Sequence, residues 1–279
     1  TITSGTDTDS GIVVGNGTTQ APTVTFNGAI TTIDDLTVND GAKAIFNEDA
    51  TFADVFSGDA ATVKVAADKT LTANTQNDAD VTTWEIGVNK VGGGAQTVGN
   101  VAFANDAVNL AVDTVNFVVT ANSAPLTVGA SVLQDVFQGD AQNTIAGATV
   151  TDNSYIYGFT LVDDTNNVDV TVAVDNDPTQ FGGTNDRNVA GVLFTDLAAS
   201  TNADVNRAQS NLAAAGSEEA VSDVLESVTP TVDAGAVVGA TGFTTQTSNI
   251  TSTQLASLRN GTEASGMYAG NVTNGLRGW

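Results

Sequence analysis

Up to Val174, apolar residues arrive as short alternating runs, each closed by Asn, Asp or Gly. Val24-Thr25-Phe26 runs into Asn27-Gly28, and Leu36-Thr37-Val38 into Asn39-Asp40-Gly41. Ile12-Val13-Val14, Ile30 to Ile33, Ala44-Ile45-Phe46, Thr51-Phe52-Ala53, Val63-Lys64-Val65 and Leu71-Thr72-Ala73 have the same form. Brief, β-branched segments between turn residues read as strands. Turn signals at intervals of roughly eight to twelve residues suit a sandwich, a barrel or a β-solenoid. A mostly β, right-handed β-solenoid is favoured. Its rungs need brief strands that bury one face, with Gly or Asn at corners demanding positive φ. A sandwich more often has longer strands and paired hairpin turns.

The series continues past Gly92-Gly93-Gly94 with Val98 to Phe103, Val108 to Val112, Val115 to Val119 and Leu126 to Val128. Tyr155 to Val162 and Val168 to Val174 form the clearest hairpin, turning at Asp163-Asp164-Thr165-Asn166-Asn167. Asp175 to Asn188, with Pro178 and Gly182-Gly183, reads as a connecting loop. No strict repeat period runs through the chain. One near-repeat, Asp54 to Ala60 against Asp135 to Ala141, fits either two equivalent corners or chance similarity in a low-complexity sequence.

From Thr201 the period becomes helical. Ala203, Ala208, Leu212 and Ala215, then Ala220, Val221, Val224, Leu225 and Val228, fall on helical spacing. Thr201 with Asp204, and Ser217 with Glu218 and Glu219, set hydroxyl caps ahead of acidic first turns. Gly216 separates the two pieces and Pro230 stops the second. A weaker helical run carries Phe243, Ile250, Gln254, Leu255 and Leu258 and ends at Arg259-Asn260-Gly261.

This last part resembles the junction of passenger and translocator in bacterial autotransporters (type V secretion). The matching residues are 220–230 and 250–261, then Gly266-Met267-Tyr268-Ala269-Gly270 and Gly275-Leu276-Arg277-Gly278-Trp279. In that family a helix ending in Leu-x-x-Leu-Arg threads the barrel, and a Gly-x-Gly-x-Trp-like sequence opens its first strand. Gly275 to Trp279 departs slightly from that pattern, and the chain stops where the barrel should begin. The resemblance covers about the last quarter of the chain; before that it is only compositional. It implies three regions: a solenoid passenger over 1–97, an autochaperone-like cap over 98–200, and a helical linker over 201–279. Trp279 would then be an interfacial anchor at the barrel rim. The alternative architecture is a β-domain with a helical C-terminal hairpin.

Composition narrows the function classes. The formal net charge of −24 opposes binding to nucleic acid or an anionic membrane. The chain has no Cys and no His, which removes disulfides, Cys/His zinc sites and any His-activated nucleophile. No apolar run is long enough for a membrane-spanning helix. Thr1 opens a polar stretch, so a secretion signal would have been removed or lie outside the sequence.

Candidate chemistry is sparse. Asp34-Asp35, Asp163-Asp164 and Asp175-Asn176-Asp177 could ligate structural calcium, or could sit in turns because Asp and Asn bond nearby amides. No ligand set stands out, so the metal line stays open, and no catalytic or cofactor-binding residue is assigned. Asp9-Ser10-Gly11 matches an aspartic-protease triplet without a second copy. Trp84 and Tyr155, Tyr157 and Phe159 could make a carbohydrate-stacking platform, but such residues more often fill a β core. The expectation is a non-enzymatic structural protein on the bacterial surface, in the outer membrane or outside the cell. It would form a stalk, fibre or layer, self-associate, and be joined to its own barrel. An adhesin for host protein or glycan is the alternative, with a displayed hydrolase behind it.

Overall fold

The structure, a computed structural model, describes residues 2–3, 11–15, 21–58, 60–77, 82–91, 93–120, 123–229, 247–253 and 255–256. The chain divides into two compact units, Thr1–Thr229 and Pro230–Trp279. The helical segments Ala203–Ala213 and Glu218–Val228 belong to the first unit with the strands.

The first unit is mostly β and its sheets are largely parallel. In one sheet Thr23–Phe26, Lys43–Phe46, Thr62–Val65, Thr83–Lys90, Thr114–Val119 and Thr149–Asp152 follow one another in space, all parallel. A second runs Gly11–Val14, Asp35–Val38, Val55–Gly58, Thr75–Gln76. A third runs Ile2–Thr3, Ile30–Ile33, Ala50–Phe52, Thr70–Ala73, Asn100–Phe103, Gly129–Gln138. The chain visits the three in rotation, so each strand meets the strand of the previous circuit. Leu36 pairs with Phe56, and Val55 with Thr75, twenty residues on each time. Longer excursions later stretch the spacing, with Trp84 paired to Val115 and Val101 to Phe137. That stretching hides the repeat in the sequence.

In-register parallel pairing stacks like position on like position. Val24, Ala44, Val63, Trp84 and Val115 make one column, and Phe26, Phe46, Val65, Ile86 and Phe117 the next. Phe26 and Phe46 stack face to face at 4.9 Å. Ile30, Ala50, Leu71, Val101 and Phe137 answer them from the third sheet. Fully burying each of the larger side chains contributes roughly 1.5–3 kcal/mol. On the outside, Thr23, Lys43, Thr62, Thr83, Thr114 and Thr149 share a column.

Pairing changes character at Gly129–Gln138. One edge meets Asn100–Phe103 in parallel, while the other runs antiparallel to Asn167–Val174. Two register shifts accompany the change, and Ser131 and Asp135 sit at φ 45° and 55°. Asn167–Val174 pairs with Tyr157–Asp164 as the expected hairpin, turning at Thr165 (φ 60°). Leu126 to Val128 is not a strand; the strand begins at Gly129. The near-repeat segments are not equivalent corners, because Val55–Gly58 lies in the second sheet and the Asp135 segment in the third. What they share is a buried Phe against the Trp84 ring, Phe56 at 5.0 Å and Phe137 at 5.9 Å.

Part of the expected loop 175–188 is ordered structure. A 3-10 turn covers Pro178–Gln180, and helix α1 covers Thr184–Gly191, running into a π-turn at Val192–Asp196. Helices α2, Ala203–Ala213, and α3, Glu218–Val228, come next. The cap of α2 is Asn202, not Thr201: its Oδ1 accepts from the Asp204 and Val205 amides. Ser217 caps α3 as expected, accepting from the Ala220 amide at 3.2 Å. Ala190, Leu193, Leu212, Val221 and Leu225 join the same apolar core as the strands. In the second unit residues 247–253 are helical, within the expected weaker run. The linker end at 259–261, the segment 266–270 and Gly275 to Trp279 lie outside the described residues.

Candidate functional site

Asp35, Asp163 and Asp177 accept hydrogen bonds from both backbone and side-chain donors. Asp35 Oδ1 accepts the Val55 amide at 3.0 Å, one circuit on. Asp163 Oδ1 accepts from Asn143 Nδ2 at 3.4 Å. Asp177 Oδ1 accepts from the Thr179 amide and hydroxyl at 2.9 and 2.7 Å, bonds that hold its carboxyl below the ordinary value. Asn176 Nδ2 donates to the Tyr155 carbonyl at 2.7 Å. Among the described residues no group of three or more acidic side chains converges. Asp9 and Ser10 lie outside the described residues.

Other corners carry amide ladders. Asn47 Nδ2 donates to Asn27 Oδ1 at 2.7 Å, and Asn105 Nδ2 to Asn74 Oδ1. Asn39 Nδ2 reaches the Gly15 carbonyl at 2.8 Å. Each satisfies a neighbour in the adjoining circuit, so the turn residues that closed the strands in the sequence also glue one circuit to the next.

The aromatic residues fill the interior. Trp84 is fully buried, with Phe56, Phe103 and Phe137 around its ring at 5.0, 6.4 and 5.9 Å. Its Nε1 donates to Asp113 Oδ2 at 2.8 Å, and the Thr82 amide donates to Asp113 Oδ1 at the same distance. Asp113 is itself fully buried. The sequence reading missed it, although a lone acid between Val112 and Val115 was a signal. Tyr157 is also buried. Its hydroxyl accepts from the Leu126 amide at 3.0 Å, and burial pushes its pKa up. Phe159 stacks on Phe117 at 4.8 Å. Only Tyr155 stays half-exposed, tilted against Phe181 at 5.7 Å. The sugar-stacking platform is therefore not formed, and the core assignment holds.

A concavity lies where the second sheet breaks. Thr75–Gln76 is not laddered to the next strand, Ala107–Asn109, which pairs instead with Ala141–Thr144. The Gln76 carboxamide bridges the break, donating to the Asn109 carbonyl at 3.1 Å and accepting its amide at 3.3 Å. Asp106 accepts the Gln76 and Ala107 amides at 3.2 and 2.8 Å. With Asn77 and Thr144 these residues line a cleft of about 490 Å³. A smaller one of about 320 Å³ lies between Asp68, Gln96, Thr97 and Asn100 on one side and Val132 to Gln134 on the other. Both offer amides and hydroxyls to a neutral polar group.

Three lysines have structural partners among the described residues. Lys43 Nζ lies 2.6 and 2.7 Å from the two Glu85 oxygens, reaching across the Thr62–Val65 strand. Lys69 pairs with Glu48 at 3.0 Å, and that hydrogen bond raises its pKa. Lys90 Nζ donates to Thr127 at 3.0 Å while burial lowers its pKa. Asp152 is held above the ordinary carboxylate value, by partial burial first and by Asp175 in addition.

No protein-family model, curated protein or solved structure matches the chain.

Proposed function

We propose that the chain is a non-enzymatic structural element of a bacterial surface protein of autotransporter type. Its strands would form a right-handed β-solenoid, the hairpin with helices α1 to α3 would cap it, and the chain beyond Pro230 would lead to a barrel. The observation that carries this reading is the recurrent parallel pairing of each strand with the strand one circuit away, over a single continuous core. Such a coil extends by adding circuits without rearranging those already made, which suits a stalk, a fibre or a layer. Polar Thr, Asn and Asp corners keep its sides wet, and a low cation count limits sticking to nucleic acid.

Electron microscopy of the protein on its native cells, with and without calcium, tests the proposal. Rods, filaments or an ordered layer on the cell exterior support it, and loss of order on chelation would add calcium as a partner. Compact particles inside the cell would overturn it.

A further inference from the structure

The asparagines of this chain divide into two populations according to the residue two positions further on. Between residues 21 and 229 there are 21 Asn, and none has Ser or Thr at that position. Those 209 residues hold 36 Ser and Thr, enough for chance to place three or four such triplets. Outside that span there are five Asn, and four of them open an Asn-x-Thr triplet: Asn16-Gly17-Thr18, Asn249-Ile250-Thr251, Asn260-Gly261-Thr262 and Asn271-Val272-Thr273. The third residue is Thr each time, and the middle one is never Pro.

We propose that these four asparagines, Asn249 first among them, are acceptors for N-linked sugar, and that the span 21–229 excludes the acceptor triplet. The Asn-x-Ser/Thr triplet is the recognised acceptor for sugar transfer to an asparagine amide. Asn249 is the member that lies within the described residues, and it is exposed on the helical segment 247–253. The excluded span has a physical reason to stay unmodified. Asn27, Asn47, Asn74 and Asn105 pair their side chains between circuits, and Asn153 Nδ2 donates to the Val119 carbonyl at 3.1 Å. A sugar on such a nitrogen would break the bond that positions it.

The transfer needs a glycosyltransferase and an activated sugar. The Asn249 Nδ2 forms a bond to the anomeric carbon, the bond from that carbon to the phosphate oxygen breaks, and the amide proton leaves to a base of the transferase. A sugar nucleotide releases a nucleoside diphosphate, whereas a lipid-linked sugar releases a lipid diphosphate. A compact intracellular protein could carry the same sugars, so these acceptors stand or fall separately from the autotransporter reading.

Peptide mass mapping of the protein purified from its native cells decides the matter. The expected result is hexose mass on the peptides holding Asn249, Asn260, Asn271 and Asn16, and none on the asparagines of 21–229. Single-sugar additions would indicate a nucleotide donor and a block oligosaccharide a lipid-linked one. Thr251→Ala should abolish modification at Asn249 alone, with Thr251→Ser retaining it. Unmodified Asn249 throughout the native material, or sugar spread equally over asparagines of 21–229, would overturn the proposal.

Discussion

The stack between Thr23 and Val119 and the closing region from Gly129 to Val228 solve the same burial problem by different means. In the stack, inward side chains meet their counterparts from the neighbouring circuit, so apolar columns run through successive levels and two Asn–Asn pairs join circuits at the corners. In the closing region the columns end, with Phe137 and Thr149–Asp152 as their last members. Single long-range polar contacts hold the pieces: Ser154 Oγ to the Ala213 carbonyl at 2.6 Å, the Tyr155 amide to the Ala215 carbonyl at 2.6 Å, and Gln209 Nε2 to the Leu193 and Leu197 carbonyls at 2.7 and 2.8 Å. A repetitive region spreads stability over many small equivalent terms; a unique one concentrates it in few.

The largest test of that difference is Trp84→Ala. It empties the one point where rings from all three sheets converge, and it leaves Asp113 without its indole donor. A loss of about 4 kcal/mol is expected in urea unfolding. Amide exchange should rise throughout the stack. Leu225→Ala, at a fully buried α3 position, should cost about 3 kcal/mol. Here exchange should rise first in α2 and α3, leaving the Thr62–Val65 and Thr83–Lys90 strands protected. If both variants loosen both regions equally, the distinction fails.

Gln209→Ala should cost about 2 kcal/mol, because the Leu193 carbonyl in the π-turn and the Leu197 carbonyl just after it lose their donor. Asn47→Ala removes one exposed rung of a ladder and should cost only about 0.5 kcal/mol. Asp152→Asn should act through pH. The folded state raises the Asp152 pKa, so it holds the proton more tightly than the unfolded chain does. Its favourable contribution is complete below the unfolded value of 3.8 and lost as pH rises through the folded value. The variant should be slightly more stable than the parent at neutral pH, an advantage that disappears in acid.

The same contrast explains how legible each region was in the sequence. Strands of the stack keep strict alternation, and Leu36-Thr37-Val38 or Val63-Lys64-Val65 announce themselves. Gly129–Gln138 did not, because its bulges put Ser131 and Asp135 at positive φ and break the period of two. Helix α1 is rich in Thr, Asn, Asp and Gly, a composition that reads as loop. Burial of Ala190 and, beyond it, Leu193 overrides that weak propensity. The caps of α3 and the hairpin were readable, since Ser217 and the Asn-rich turn act locally. Asp113 was not, because its role exists only once Trp84 and Thr82 are brought to it. The absence of a single repeat length concealed circuits that are close to twenty residues in the middle of the stack and longer before and after it.

Protease shaving of intact native cells tests the central claim most directly. The account predicts release of fragments from 21–229 into the medium while cytoplasmic markers stay inside, as a surface-displayed stack requires. Fragments obtained only after lysis, with none from intact cells, would contradict it.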